Sequence, residues 1–317
     1  MISAKTKPPR PDKPGRRLSA RVQFKNNWQL YVMLLPAIAY YVLFNYAPLY
    51  GIQIAFKDYR AVDGILGSEW VGFEHFLKFF DAYYFERLIK NTFLLNLYGM
   101  LWMFPIPIIL AIMLNRVRNA KLKKFIQTTI YLPHFISTVV LVGMLYIFLS
   151  PGGGLFNTVR GFFGQKSLDF MSMSGAFRTI SIASNIWQDA GFSSILFIAT
   201  LSGIDPALYE AAELDGASVW QKIRYIDIPT LIPTAMMVLI LDSGKLFASG
   251  AAKVLLLQTP GNIAVSELIG TYVHNVGLGK GMFSYTTAIG LFTNVINFIM
   301  IIIVNKISKK AANVEMF

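Results

Sequence analysis

Long stretches without charge alternate along the chain with short charged ones, and this alternation is the main structural signal in its 317 residues. Uncharged or nearly uncharged runs cover residues 28–56, 91–115, 125–149, 178–204, 228–251 and 285–304. A hydrocarbon core of ~30 Å needs about 20 apolar residues in a helix, and each run is long enough. The pattern predicts an all-α integral membrane protein with six transmembrane helices. Tyr46-Ala47-Pro48 closes the first helix, Pro105 and Pro107 bend the second, and Ser150-Pro151-Gly152-Gly153-Gly154 stops the third. Residues 57–90 mix five basic and six acidic side chains with many aromatics, the composition of an amphipathic segment on the outer membrane surface. Residues 155–175 and 258–284 read as outer loops.

Composition agrees with this picture. The chain is 55% hydrophobic and 15% charged, with mean hydropathy +0.51, against about 25% charged residues in soluble domains. Its net charge of +12 sits beside the apolar runs. Residues 1–27 hold eight Lys/Arg against one acid, Arg116 to Lys124 carries five basic residues, and Lys306, Lys309 and Lys310 follow the last run. Six spans place all three clusters on one side, which the positive-inside rule makes cytoplasmic. Both ends are then inside, and nucleic acid is not an expected partner. Three parts follow: a basic, Pro-rich cytoplasmic arm (1–27) without the cleavage pattern of a signal peptide, a six-span domain (28–304) and a cytoplasmic tail (305–317).

Candidate chemistry is sparse. Without cysteine there is no disulfide or thiolate site, and His75, His134 and His274 are scattered, so no metal is expected. Gly244-Lys245 and Gly279-Lys280 lack the other residues of a phosphate-binding loop, so the chain binds no nucleotide of its own. With no nucleophilic or acid–base constellation either, a non-catalytic role is expected.

The loop 203–229, between the fourth and fifth runs, departs from basic character, with five acids against Lys222 and Arg224. Asp205 can cap a helix that begins at Pro206 and stops at Gly216. Glu210, Glu213 and Asp215 surround a small Ala211/Ala212 surface, which lets another backbone approach closely and offers acids to Arg or Lys.

The stretch reads Glu210-Ala211-Ala212, three residues, Gly216, nine residues, Ile226-Asp227-Ile228-Pro229. It resembles the EAA loop of bacterial ABC importer permeases, with Ile228 in place of the usual Leu. Softer patterns extend the resemblance: Tyr46-x-Pro48, residues 71–76 and residues 284–290. The style is that of the carbohydrate-uptake group, the oligosaccharide/polysaccharide and maltose-type permeases. The resemblance implies a type I permease bundle in the bacterial cell membrane, importing an oligosaccharide. It also implies a second, related permease, two ATPase subunits that carry the ATP, and an extracytoplasmic solute-binding protein. Glu210, Ala211, Ala212, Glu213, Asp215, Gly216 and Pro229 would then couple to the ATPase. The 258–284 loop, with Asn262, Tyr272 and Asn275, would reach the binding protein.

Asp189, Asp242, Lys245 and Lys253 fall within spans or near their ends, where an ionisable group is costly unless paired or facing water. Lys253 reads as close enough to the outer surface to snorkel. Asp189 precedes Ile204 by fifteen residues and Asp242 follows Pro229 by thirteen, so both lie about 20 Å from the inner ends of their helices. One reading pairs Asp242 with Lys245 and bonds Asp189 to a nearby hydroxyl or amide. The other is a water-filled cavity walled by Asn185, Gln188, Asp189, Asp242 and Ser249, with Trp187 or Phe192 as an aromatic face for a sugar. Asn185, Gln188, Asp189 and Phe192 form one helical stripe, and Asp242, Leu246 and Ser249 form another. Positions implied by the maltose-type permeases land on Asn185, Gln188, Asp189, Phe192, Asp242, Leu246 and Ser249. The acids depart from that pattern, which argues for a different sugar. Asn294 and Asn297 either face the same cavity or bond across a helix pair. An ion-coupled secondary transporter using Asp189 and Asp242 is the alternative; it leaves the loop spacing unexplained, and no inverted repeat is evident.

Overall fold

The computed structural model describes residues 27–247 and 251–312, so the arm's residues 1–26 and Ser249 lie outside the described residues. It divides into two compact units, 1–53 and 54–317. The first contains α1 (Trp28–Tyr41), which runs into a π-turn at Val42–Tyr46 and 3-10 turns from Ala47.

The second unit carries α2 (Glu74–Phe80), α3 (Phe85–Met103), α4 (Pro105–Asn115), α5 (Ala120–Tyr131) and α6 (Thr138–Phe148). After these come α7 (Leu155–Phe162), α8 (Ser174–Ser202), α9 (Pro206–Leu214), α10 (Val219–Lys222), α11 (Ile228–Ser243), α12 (Ala251–Leu257), α13 (Ile269–Lys280) and α14 (Phe283–Ala312). Among the described residues, four helices are long and apolar enough to cross a membrane, and two bent pairs raise the number to six if each pair is one span. Among the described residues one antiparallel ladder, Lys57 opposite Trp70 and Asp58 opposite Glu69, interrupts the helical architecture.

Three expectations are corrected. The third run is not one helix: its halves, Ala120–Phe135 and Thr138–Phe148, meet at 97°. Pro133 lacks the N–H needed to continue the first half, and Ser137 restarts the chain by accepting a hydrogen bond from the Val140 N–H at 3.3 Å. The fifth helix ends at Ser243 rather than near Ala251. Beyond it, Asn96 Nδ2 donates to the Leu246 carbonyl at 2.7 Å and the Phe247 N–H donates to Asn297 Oδ1 at 2.9 Å. These side chains satisfy the freed backbone, so the helix can stop inside the protein. Asn297 thereby takes the cross-helix role. The aromatic segment before α3 packs on protein rather than lying only on lipid. Phe79 is 1% exposed, with its ring 5.8 Å from that of Phe292 on α14.

At one end of the unit, Ala111 (α4), Phe197 and Leu201 (α8) and Leu231 and Ala235 (α11) share one apolar core. It fixes the two helices that flank the 203–229 loop. Gly191 on α8 sits where α5 crosses: a Cβ there would come 2.0 Å from the Ile130 carbonyl oxygen. No side chain fits that gap.

Candidate functional site

The loop folds as its residues predict. Asp205 caps α9 by accepting from the Ala207 N–H at 2.9 Å, Pro206 takes the first turn, and Gly216 reverses the chain at φ +74°. Ser218 and Gln221 then form a reciprocal capping box on α10. A π-turn over Ile223–Asp227 leads into α11, where Pro229 lies in the first turn and loses no hydrogen bond. Glu210, Ala211, Glu213, Asp215 and Gly216 are exposed, and Ala212 is half-buried. Leu214 (91% exposed) and Trp220 (79%) widen this surface with apolar area.

Beneath it lies a buried junction that sequence reasoning missed. Asp227 is completely buried. Its carboxylate accepts from the Tyr209 hydroxyl at 2.5 Å and from the Arg116 guanidinium, which also lies 5.4 Å from the Tyr209 ring centre. Burial, then the carboxylate beside it, pushes the Tyr209 phenol up to about 12. Arg116 ends α4, Tyr209 is on α9 and Asp227 begins α11, so one carboxylate ties three elements together. Lys222 Nζ donates to Glu213 Oε1 at 2.6 Å, and this bond and charge hold the Glu213 carboxyl below its usual range. Asp227 occupies the variable position of the motif and Arg116 was read only as an orienting charge, so neither stood out.

A cavity of about 360 Å³ opens between the flanking helices and α3, which lines it from Leu95 to Met103. It brings together Asn185 and Asp189 from α8, Asp242 from α11, and Lys245 and Leu246 from the turn that follows. Gln188 and Phe192 are not among its lining residues. Gln188 is buried and donates to the Ile136 carbonyl at 2.8 Å, closing the bend between α5 and α6. Phe192 stacks on His134, with ring centres 3.9 Å apart and planes 7° from parallel, so one of its faces is occupied. Trp187 lies on a separate apolar groove with Leu141 and Phe148. Leu246 lies past the end of α11, so the second stripe is not a continuous helical face.

Both acids have partners, but only that of Asp242 is the expected one. Lys245 Nζ is 3.8 Å from Asp242 Oδ1. Asp189 is bonded not to a hydroxyl or amide but to His134 Nδ1, at 2.9 Å. His134 was set aside as isolated; the 97° bend carries it to α8 across 55 positions of sequence. Lys253 does not snorkel outward. It is 8% exposed, lines the cavity from α12, and donates to Asn185 Oδ1 at 2.7 Å.

Of the three residues expected to meet a binding protein, Asn275 is exposed. Asn262 is 1% exposed and donates to the Met171 carbonyl at 2.8 Å, and Tyr272 packs 4.7 Å from Tyr84. Both are internal supports of the 258–284 segment.

Comparison with known proteins joins these features. The family profile described as the binding-protein-dependent transport system inner membrane component matches residues 103–313. The polygalacturonan/rhamnogalacturonan transport system permease protein YteP of Bacillus subtilis is 42% identical over 281 residues, spanning 89% of this chain and 88% of the relative. LplB of the same organism is 38% identical over 296 residues, 93% of each chain. A chain of a bacterial ABC transporter involved in the import of the acidic polysaccharide alginate matches with TM-score 0.84 at 37% identity, covering 92% of this chain and 98% of that one. The alginate transporter in complex with an alginate pentasaccharide-bound periplasmic protein gives 0.85 at 37% identity, with coverage of 94% and 99%. The profile match runs through both cavity-walling helices and the loop between them, and the chain belongs to the binding-protein-dependent transport system inner membrane component family, with the fold of a type I ABC permease.

Proposed function

We propose that this chain is one permease subunit of an importer that carries oligosaccharides across the bacterial cell membrane, with both of its ends in the cytoplasm. The observation that carries the reading is the cavity, with Asn185, Asp189, Asp242 and two lysines on an otherwise largely apolar wall, between α3 and the two helices that leave the 203–229 loop. A second permease, two ATPase subunits holding the ATP and an extracytoplasmic binding protein complete the machine. The chain itself binds no nucleotide or metal and performs no chemical step. Glu210, Ala211, Ala212, Glu213, Asp215, Gly216 and Pro229 form or support the face that docks on an ATPase. Leu214 and Trp220 add the apolar area such a contact needs.

Closure of the ATPases on ATP displaces α9. The Asp227 junction passes that displacement to α4 and α11, and α8 runs directly into the loop, so the cavity walls move together and open outward. Asn185, Asp189, Asp242, Lys245 and Leu246 line the sugar's path, while Gln188 and Phe192 hold the bend that shapes it. The relatives' names, polygalacturonan and alginate, support a carbohydrate. Ion coupling through Asp189 and Asp242 is disfavoured, since the family is binding-protein-dependent and the related solved structures are ABC importers.

The test is uptake of radiolabelled oligogalacturonate into proteoliposomes that contain the whole complex, with binding protein outside. Uptake that needs ATP in the ATPase compartment and survives an uncoupler is expected. Uptake without ATP, driven by a proton gradient, contradicts the proposal.

A further inference from the structure

The cavity's charged groups differ in how well they are satisfied. Asp189 is held by His134, whose ring is fixed in turn by stacking on Phe192. Asp242 and Lys245 pair loosely at 3.8 Å, with side chains 53% and 68% exposed. Lys253 stands apart. It is 8% exposed, and its ammonium donates to a neutral amide oxygen, that of Asn185, at 2.7 Å. An ammonium carries three donors, so one amide bond leaves it two more. Burying that charge at membrane depth is costly unless an anion or water compensates it. Among the described residues no carboxylate lies within 4 Å of the ammonium; Asp189, whose charge acts on it from the same cavity wall, lies one turn further along α8 from Asn185 and is already bonded to His134.

A wall built only to hold neutral sugar hydroxyls has no need of a buried cation, because amides and carboxylates take hydroxyls in pairs. A carboxylate on the cargo supplies the direct charge-assisted hydrogen bond that Lys253 lacks. We infer that Lys253, positioned by Asn185, is an anion subsite of the translocation cavity, and that it recognises the carboxylate of a uronic-acid unit in the imported oligosaccharide. This inference rests on the proposed oligosaccharide reading and narrows it to acidic sugars. Asp189 and Asp242 flank the subsite and would repel a second carboxylate placed against them, so the cation selects where along the cavity the acidic unit rests. The lysine comes from α12, which begins eight positions after the end of α11. The span-by-span pattern therefore gave no hint that it would reach α8.

The experiment measures binding of trigalacturonate and of its carboxyl-reduced counterpart to the purified full complex without binding protein. Wild type, Lys253→Met and Lys253→Arg are compared. A charge-assisted bond implies that wild type prefers the acid by about tenfold, that Lys253→Met loses most of this preference, and that Lys253→Arg keeps most of it. Binding-protein-stimulated ATPase activity checks that each variant is assembled. Absence of any preference in wild type, including absence of measurable binding, overturns the inference, as does a preference that survives in Lys253→Met. ATP-dependent uptake of oligogalacturonate by wild type tests the underlying reading separately. If uptake is present while the preference is absent, only the anion subsite fails.

Discussion

Replacing Asp227 with alanine should loosen the coupling segment without touching its docking face. The carboxylate is fully buried and holds two partners, the Tyr209 hydroxyl at 2.5 Å and the Arg116 guanidinium. Removing one member of a buried ion pair typically costs about 3–5 kcal/mol, chiefly because the other charge is stranded. The Arg116 side chain is 27% exposed, so water can offset part of that loss. The lower end, about 3 kcal/mol, is the expectation, and at ~1.4 kcal/mol per tenfold it corresponds to roughly a hundredfold increase in local opening. Tyr209→Phe removes only the hydroxyl's bond and should cost about 1.5 kcal/mol, the low end for a bond to a charged group. In the Asp227→Ala background the same substitution should cost close to nothing, because its partner is gone. Hydrogen exchange of the α9 and α10 amides in the assembled complex reads these local openings directly. Transport per ATP hydrolysed should fall with them. Unchanged exchange in Asp227→Ala, or additive effects of the two substitutions, would refute the idea that this carboxylate ties the loop to α4 and α11.

Two further outcomes follow from the geometry. Gly191→Ala places a Cβ 2.0 Å from the Ile130 carbonyl oxygen, and overpacking of this kind costs about 1–3 kcal/mol. A lower melting temperature of the complex is expected, and an unchanged one would mean that α5 can move aside freely. The Glu213–Lys222 tie has a defined pH dependence. Because Lys222 lowers the Glu213 pKa, the tie contributes above the usual carboxylate range and is lost as pH falls through the lowered value. In Lys222→Met, a ¹³C-labelled Glu213 carboxyl should titrate at higher pH than in wild type; an unmoved titration would show that the bond is absent in solution.

The sequence made the spans and the loop legible because both are local signals. An uncharged run long enough to cross a bilayer needs no partner to be recognised, and Asp205, Pro206 and Gly216 act on their own helix. The places where the reading failed all depend on contacts distant in sequence. Pro133 drew no notice inside an uncharged run, and the sharp bend between α5 and α6 is closed by Gln188 donating across to Ile136. The fifth run stayed apolar past Ser243, so nothing local announced that Asn96 and Asn297 would satisfy the backbone there. The same limit explains the site. Counting residues from the loop put Asp189 and Asp242 at one depth, and they do share a cavity. Only the bend delivers His134 to Asp189, and only the early end of α11 turns Lys253 inward.

In the proposed importer the Glu210 surface couples to an ATPase while the cavity behind it carries the cargo. Binding-protein-stimulated ATPase activity of the purified complex tests it most directly, comparing wild type with Glu210→Lys and with Asp189→Ala, alongside transport by each. Glu210→Lys should lose stimulation, whereas Asp189→Ala should still assemble and respond to the binding protein but transport poorly. Full assembly, stimulation and transport in Glu210→Lys would contradict it.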